Sequence, residues 1–508
     1  MKRVLIVLWL MGILGASLSA QTPLRVITRP KIPTQDVLDR LNLGFGWHAR
    51  IPLDSPRDHL VSLQILPRGS GTAIKTEIVA QTARGNIYLF DGETGALRWN
   101  TPVGIAYSPV HPVTYNSQSI ILSRRDRFYV LNRDTGTQRV FKKSPNGERT
   151  FGYPLDRLPS AAPAANEFMV VFPFFDRVSA FALPDFEKLA IAREKEPEIL
   201  AEEREGSVQP FSAWEYFDPT MKLSTPPIVT PSQVAITVPS GKILSLALGQ
   251  ARERVRFDFR TLGGINAAMG SNDDFGYVGS DDYFLYALNL DLDRLEWRFA
   301  SGAPIVRKPL VNDADVFVFS RGRGLFRVFR FTGADFWLEP AAENFLAAHY
   351  FKDAKNVFKI DSQGRAVAKY VYVTDRHGKL LILDGDRGGV LGQFDMSDWQ
   401  TTLANEWTDR IYFANNDGQI LALHPRDSRL PQINKSIPVP VKASAPRAPV
   451  PDAPPPPPPA PKDDEKKVDK MGSLAPQGRP LAELRAWSTA TLFAAPIIAG
   501  DDRIMLAS

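Results

Sequence analysis

IYLFDGETGALRW (residues 87–99) sets an apolar run directly before an acidic, glycine-bearing turn and closes on a tryptophan. FYVLNRDTGTQRVF (128–141) restates the pattern one step later. Aligning every stretch in which a turn residue precedes a short apolar strand yields eight copies: GNIYLFD, DRFYVLN, DRVSAFA, GKILSLA, YFLYALN, GLFRVFR, GKLLILD and GQILALH. They end at Asp91, Asn132, Ala182, Ala247, Asn289, Arg330, Asp384 and His424, so four of the seven intervals are 40–42 residues and the longer ones leave room for loops. A period of that length built from short strands is what four-stranded propeller blades require.

Each copy has a second strand just upstream: EIVAQ, IILS, MVVFP, VAITV, FGYVGS, VFVFS, YVYVT and IYFAN. Apolar runs of four to six residues between Gly, Asp, Asn and Ser turns read as strands rather than helices. Proline-led segments such as PPIVT (226–230) and KPLVN (308–312) precede several of them, and proline suits the first residue of a strand or an edge. DGETGALRW is then the turn from a blade's third strand to its fourth, with Trp99 on the outer strand. Thr94, Gly95 and Trp99 are matched in spacing by Thr332, Gly333 and Trp337, and Trp297 holds the same place after LDLDRLE. The glycine permits a left-handed turn, and the tryptophan is a large apolar plate for packing one blade on the next. The expected fold is all-β: an eight-bladed propeller of four-stranded antiparallel blades.

An open ring would leave strand edges exposed. LGFGWHARI (43–51) has the form of a Trp-bearing outer strand and precedes the first complete blade. The segment around Trp47 is therefore expected to complete the last blade, joining the two ends. A competing closure uses AAPIIAGDDRIMLAS (494–508), which is similar to the first two strands of a repeat.

These residues, an apolar strand followed by Y-A-L-N/D, T-G and W, resemble the quinoprotein-type (PQQ-like) β-propeller repeat over about residues 40–435. That repeat serves both quinone enzymes and non-catalytic scaffolds. The resemblance is greatest to the non-catalytic BamB-like scaffold of outer-membrane assembly. This implies an exported ring that uses blade-connecting loops to hold other envelope proteins, outer-membrane assembly components among them, without a cofactor. Quinone enzymes of the family stack their cofactor on a disulfide between neighbouring cysteines, whereas this chain has no cysteine. A PQQ-dependent or other small-molecule enzyme working in the central channel is the alternative.

The wider composition agrees. The 508 residues carry 61 basic and 56 acidic side chains with no clustered basic stripe, so a nucleic-acid partner is not expected. Without cysteine the chain has no disulfide, thiolate metal site or lipid-bearing cysteine. Residues 1–20, MKRVLIVLWLMGILGASLSA, have the layout of a secretory signal peptide, which places the product in the periplasm or outside the cell. The alternative is an uncleaved membrane anchor, although the apolar run is shorter than a spanning helix needs, and no later segment reaches spanning length. The domains are thus a signal peptide (1–20), a propeller (21–435), a linker (436–472) and a C-terminal segment resembling part of a blade (473–508). The linker holds the six consecutive prolines 454–459 and then a charged run, an extended and solvated spacer.

No catalytic, cofactor-binding or metal-binding residue is assigned. The six histidines stand apart, and no metalloprotease helix motif, nucleophile elbow or P-loop is present. Residues 186–220 are charged and poor in turn formers, and read as a short helical or partly ordered loop inserted after blade three. Near its end, FSAWEYF (211–217) gathers aromatics, and Phe211, Trp214 and Tyr216 are the protein-binding candidates. Trp47, Gly95, Trp99, Trp297, Gly333 and Trp337 are assigned to the structural repeat. The ring is expected to be monomeric.

Overall fold

A computed structural model describes residues 30–53, 57–143, 149–183, 211–249, 254–272, 275–437, 497–499 and 503–505. The signal peptide, residues 186–210 of the insertion, all of the linker after Ile437 and most of the C-terminal segment lie outside the described residues. The chain divides into two units, residues 1–440 and 441–508. Of the second, a two-stranded antiparallel hairpin is described, Ile497–Ala499 with Arg503–Met505.

The first unit is an eight-bladed β-propeller of four-stranded antiparallel sheets. Blade 1 consists of Leu60–Ser70, Ala73–Thr82, Asn86–Asp91 and Leu97–Pro102. Its third strand is buried along its middle because neighbouring blades cover both faces, which is why the sequence there is continuously apolar rather than alternating. Outer strands have a neighbour on one face, and Val255–Arg260 of blade 4 accordingly alternates between half-buried and exposed positions.

Blade 8 takes three strands from the end of the ring, Thr401–Leu403, Ile411–Ala414 and Gln419–Pro425, and its fourth from the beginning, Leu43–Arg50. The register runs from Leu43 opposite Pro425 to Arg50 opposite Gln419, with a bulge between Phe45 and Trp47. A short helix, α1 (Gln35–Arg40), leads into this closing strand and buries Leu38.

Five tryptophans bind blade to blade. Each lies on an outer strand and donates its indole N–H to a carbonyl in the third-to-fourth-strand turn of the next blade: Trp47 to Gly92 at 2.8 Å, Trp99 to Arg133 at 3.0 Å, Trp214 to Leu248 at 2.8 Å, Trp297 to Arg330 at 3.0 Å and Trp337 to Gly385 at 2.8 Å. Gly95 explains the conserved spacing within this chain. Its φ is +70°, and a Cβ there would sit 2.5 Å from the Trp47 ring. Gly136, Gly333 and Gly388 meet Trp99, Trp297 and Trp337 in the same way. The T-G turn is thus the seat for the tryptophan of the preceding blade, and removing one such ring is expected to cost about 3–5 kcal/mol.

The three long intervals of the repeat each hold an insertion. A hairpin, Val140–Lys143 with Arg149–Phe151, interrupts blade 2. Residues 351–367 lie between the first two strands of blade 7, Asn344–Tyr350 and Ala368–Thr374. The third insertion corrects the sequence reading, because it falls inside blade 3 rather than after it. FSAWEYF is not the end of a loop but the blade's fourth strand, paired with Arg177–Ala182.

Candidate functional site

Antiparallel order gives the ring two faces. One carries the turns between strands 1 and 2 and between strands 3 and 4. The other carries the turns between strands 2 and 3 and the longer connections from blade to blade, and is the loop face.

Large apolar side chains project from successive blades of the loop face: Ile105 and Tyr107 between blades 1 and 2, Leu158 between blades 2 and 3, Phe175 on blade 3, Leu262 between blades 4 and 5, and Tyr283 on blade 5, each between 50% and 91% exposed. The backbones of Phe175 and Leu262 are held by neighbouring segments, and that of Tyr107 by a single bond. Tyr107 N–H donates to Ala83 O at 2.7 Å, Leu223 N–H to Phe175 O at 2.9 Å, and Leu262 N–H to Asp282 Oδ2 at 3.0 Å. Burial alone would raise the Asp282 carboxyl, but donors from Tyr286, Phe284, Ser280 and Leu262 outweigh it and hold the group below its usual range. The most exposed of these side chains, Leu262, is therefore displayed from a fixed, ionised anchor. Rigid presentation of apolar side chains lowers the ordering cost of docking a partner.

The turn face is crossed by a strap, residues 426–437, that follows the last strand of the ring. Arg410 on blade 8 donates to Ser428 O and Arg429 O. Gln432 exchanges two hydrogen bonds with the backbone of Tyr350 on blade 7. Asn434 reaches Ala348 O and its own carbonyl accepts from Asp313 N–H, next to blade 6. Lys435 donates to Ser271 O on blade 5, and Ile437 pairs with Gly71 on blade 1. Lys435 also meets Glu406 at 2.8 Å, with Lys308 at 3.4 Å on the other oxygen. Burial would raise Glu406, yet these two cations hold it below the ordinary carboxylate value. Burial lowers Lys352, whose Nζ donates to Ile433 O in the strap, to a pKa of about 8.

Beside the strap lies a cavity of about 770 Å³, lined by the innermost strands and turns of blades 1–5 together with Lys308 and Ile437. Its arginines already have partners. Arg133 is buried, meets Glu77 at 2.8 Å and donates to Asn116 O and Pro67 O, while Arg68 reaches Glu77 and Asp134. Among the described residues, no three His, Asp or Glu side chains converge as metal ligands would.

The aromatic candidates read from the sequence sit elsewhere. Phe211 begins the outer strand of blade 3. Trp214 is 9% exposed, packs in the interface of blades 3 and 4, and carries Arg254 over its ring at 4.6 Å. Tyr216 is half-buried against the same core. Phe217, not chosen from the sequence, is exposed. Sequence reasoning also missed the strap and the loop-face side chains. Single apolar residues such as Leu262 in RTLGG carry no periodicity, and the strap's polar residues between two prolines look like the start of the linker.

Comparison with known proteins bears on the fold. Residues 232–422 match the family model described as outer membrane protein assembly factor BamB. No curated protein matches the chain. Among solved structures, BamB from Moraxella catarrhalis is similar at 15% identity with a TM-score of 0.50, over 75% of this chain and 97% of that one. The computationally designed Ika8 protein aligns at 12% identity with a TM-score of 0.47, over 73% of this chain and 98% of that one. No helix among the described residues is long and apolar enough to cross a membrane.

Proposed function

We propose that this chain, a PQQ-like β-propeller, is an exported, non-catalytic scaffold of the periplasm that binds other envelope proteins in the assembly of outer-membrane proteins. The observation that carries the reading is the row of exposed apolar side chains on the loop face, with Phe175 and Leu262 on held backbones, on a ring whose opposite mouth is partly covered by its own strap. Contiguous exposed apolar groups mark interaction surfaces. Phe168, Leu292, Phe331 and Leu430 are exposed on the turn face as well, and it is the held backbones of Phe175 and Leu262 that single out the loop-face row. The match of residues 232–422 to the BamB family supports the choice of partners. Side chains with one polar tip and one apolar body, such as Tyr107 and Tyr283, suit this use.

The test is in-cell crosslinking from a photoreactive residue at Leu158 or Leu262, followed by mass spectrometry. Recovery of outer-membrane assembly components is expected. A well-expressed ring that captures nothing specific from either position would overturn the reading.

A further inference from the structure

Arg124 closes the second strand of blade 2 and is 2% exposed, yet among the described residues none of its three guanidinium nitrogens has a hydrogen-bond partner. It differs in this from Arg133 and Arg327, equally buried, whose guanidinium groups are held by carboxylates and carbonyls. A buried charge without a partner is unfavourable, and arginine's planar fork matches a carboxylate with two parallel bonds. Among the described residues, the phenol of Tyr129 is the group that offsets its burial.

A short loop, the connection from blade 1 to blade 2, lies against its stem, so that a Cβ at Gly104 would sit 3.0 Å from Arg124 Cβ. Val110 pairs with the Arg124 backbone. Within this connection Tyr107 has φ +59°, the left-handed region that tyrosine resists. Strain of this kind persists where surrounding structure holds it and clusters at ligand clamps and switch regions. Ile105 and Tyr107 meanwhile point to solvent. The turn that follows, residues 124–127, reads Arg-Arg-Asp-Arg: three cations and one carboxylate.

We propose that Arg124 is the anchor of a docking site for an acidic segment of a partner protein: the segment's carboxylate takes the guanidinium fork as the 104–110 loop lifts, while Ile105 and Tyr107 pack its apolar residues. Arg125, exposed beside it, adds to the attraction. The site deepens the scaffold reading and rests on it, since it assigns the chemistry of a partner to one sector of the loop face.

The experiment titrates the purified chain with a fluorescein-labelled peptide of alternating Glu and Phe, and with its Gln-for-Glu twin, by anisotropy. The Glu peptide is expected to bind at least tenfold more tightly than the twin. Arg124→Met is expected to abolish that difference with an unchanged or higher melting temperature, because an unpaired buried charge is removed. Arg124→Lys, which keeps the charge without the fork, should bind in between, and Arg125→Met should lose less than threefold. Equal binding of the two peptides, or wild-type affinity in Arg124→Met, overturns the site. So does a fall in melting temperature in Arg124→Met that Arg124→Lys restores, which would make the cation structural. In-cell capture of envelope proteins that Arg124→Met leaves unchanged would sink this site and keep the scaffold, whereas loss of all capture in the wild type would remove both.

Discussion

Replacing Gly95 by alanine tests whether the T-G turn is a seat for the neighbouring tryptophan or merely a tight turn. Two effects add. The first is backbone: at φ +70° an L-residue is disfavoured by about 1–2 kcal/mol, offset in part by the stiffer unfolded chain. The second is steric. The new methyl would sit 2.5 Å from Trp47 Cδ2 and Cε3, so the indole must leave its plane and its 2.8 Å hydrogen bond to Gly92 O. Overpacking of this kind costs about 1–3 kcal/mol and the hydrogen bond about 1 more. The expected loss is therefore about 3–5 kcal/mol for Gly95→Ala. Gly364 provides the control, since its φ is +76° but no described residue lies within 4 Å of a Cβ there; Gly364→Ala should lose only about 1 kcal/mol. Urea midpoints followed by tryptophan fluorescence read the comparison, and hydrogen exchange over residues 43–50 should rise in Gly95→Ala alone. Equal midpoints for the two variants would refute the seat.

Two further outcomes follow from the same structure. Lys352 has a folded pKa of about 8, below the usual lysine value of 10.5, so between these values the folded state releases a proton that the unfolded state keeps. Its contribution makes the fold more stable as pH rises from 8 towards 10, and the difference in urea midpoint between wild type and Lys352→Met should shift in that direction over this window; a constant difference would argue against a buried ammonium under the strap. Trp214→Ala should lower stability by about 3–5 kcal/mol, whereas Phe217→Ala and Leu262→Ala should stay within about 0.5 kcal/mol of wild type; a stable Trp214→Ala that loses partner capture would return Trp214 to the role of contact residue.

The ring and its closing strand were legible because blade packing imposes a repeat on the chain. Apolar middles appear at every third strand, Trp99 and Trp337 recur four residues after a glycine, and LGFGWHARI looks like an outer strand without a blade of its own. What the repeat does not carry is pairing across blades. Gly95 and Trp99 are neighbours in sequence, yet Gly95 serves Trp47 and Trp99 is served by Gly136. Trp214 was misplaced for a similar reason: it stands 32 residues after Ala182, where Trp99 stands eight after Asp91, so its strand lost its register to the insertion. The strap and Arg124 were invisible because burial of Gln432, Asn434, Lys435 or an arginine depends on partners, or their lack, contributed by distant blades.

The closing blade also sets an order of events. Leu43–Arg50 precedes every complete blade, but its partner Gln419–Pro425 is made only after the other seven blades have been synthesised. Until then the first strand has an open edge, and the seam that Trp47, Tyr412 and Arg410 knit to the Gly92–Glu93 turn cannot form. Pairing across more than 350 residues is slow and exposes edges while it waits. A chain built this way closes its ring only once residue 425 has been made, so closure of the ring is a late event of folding.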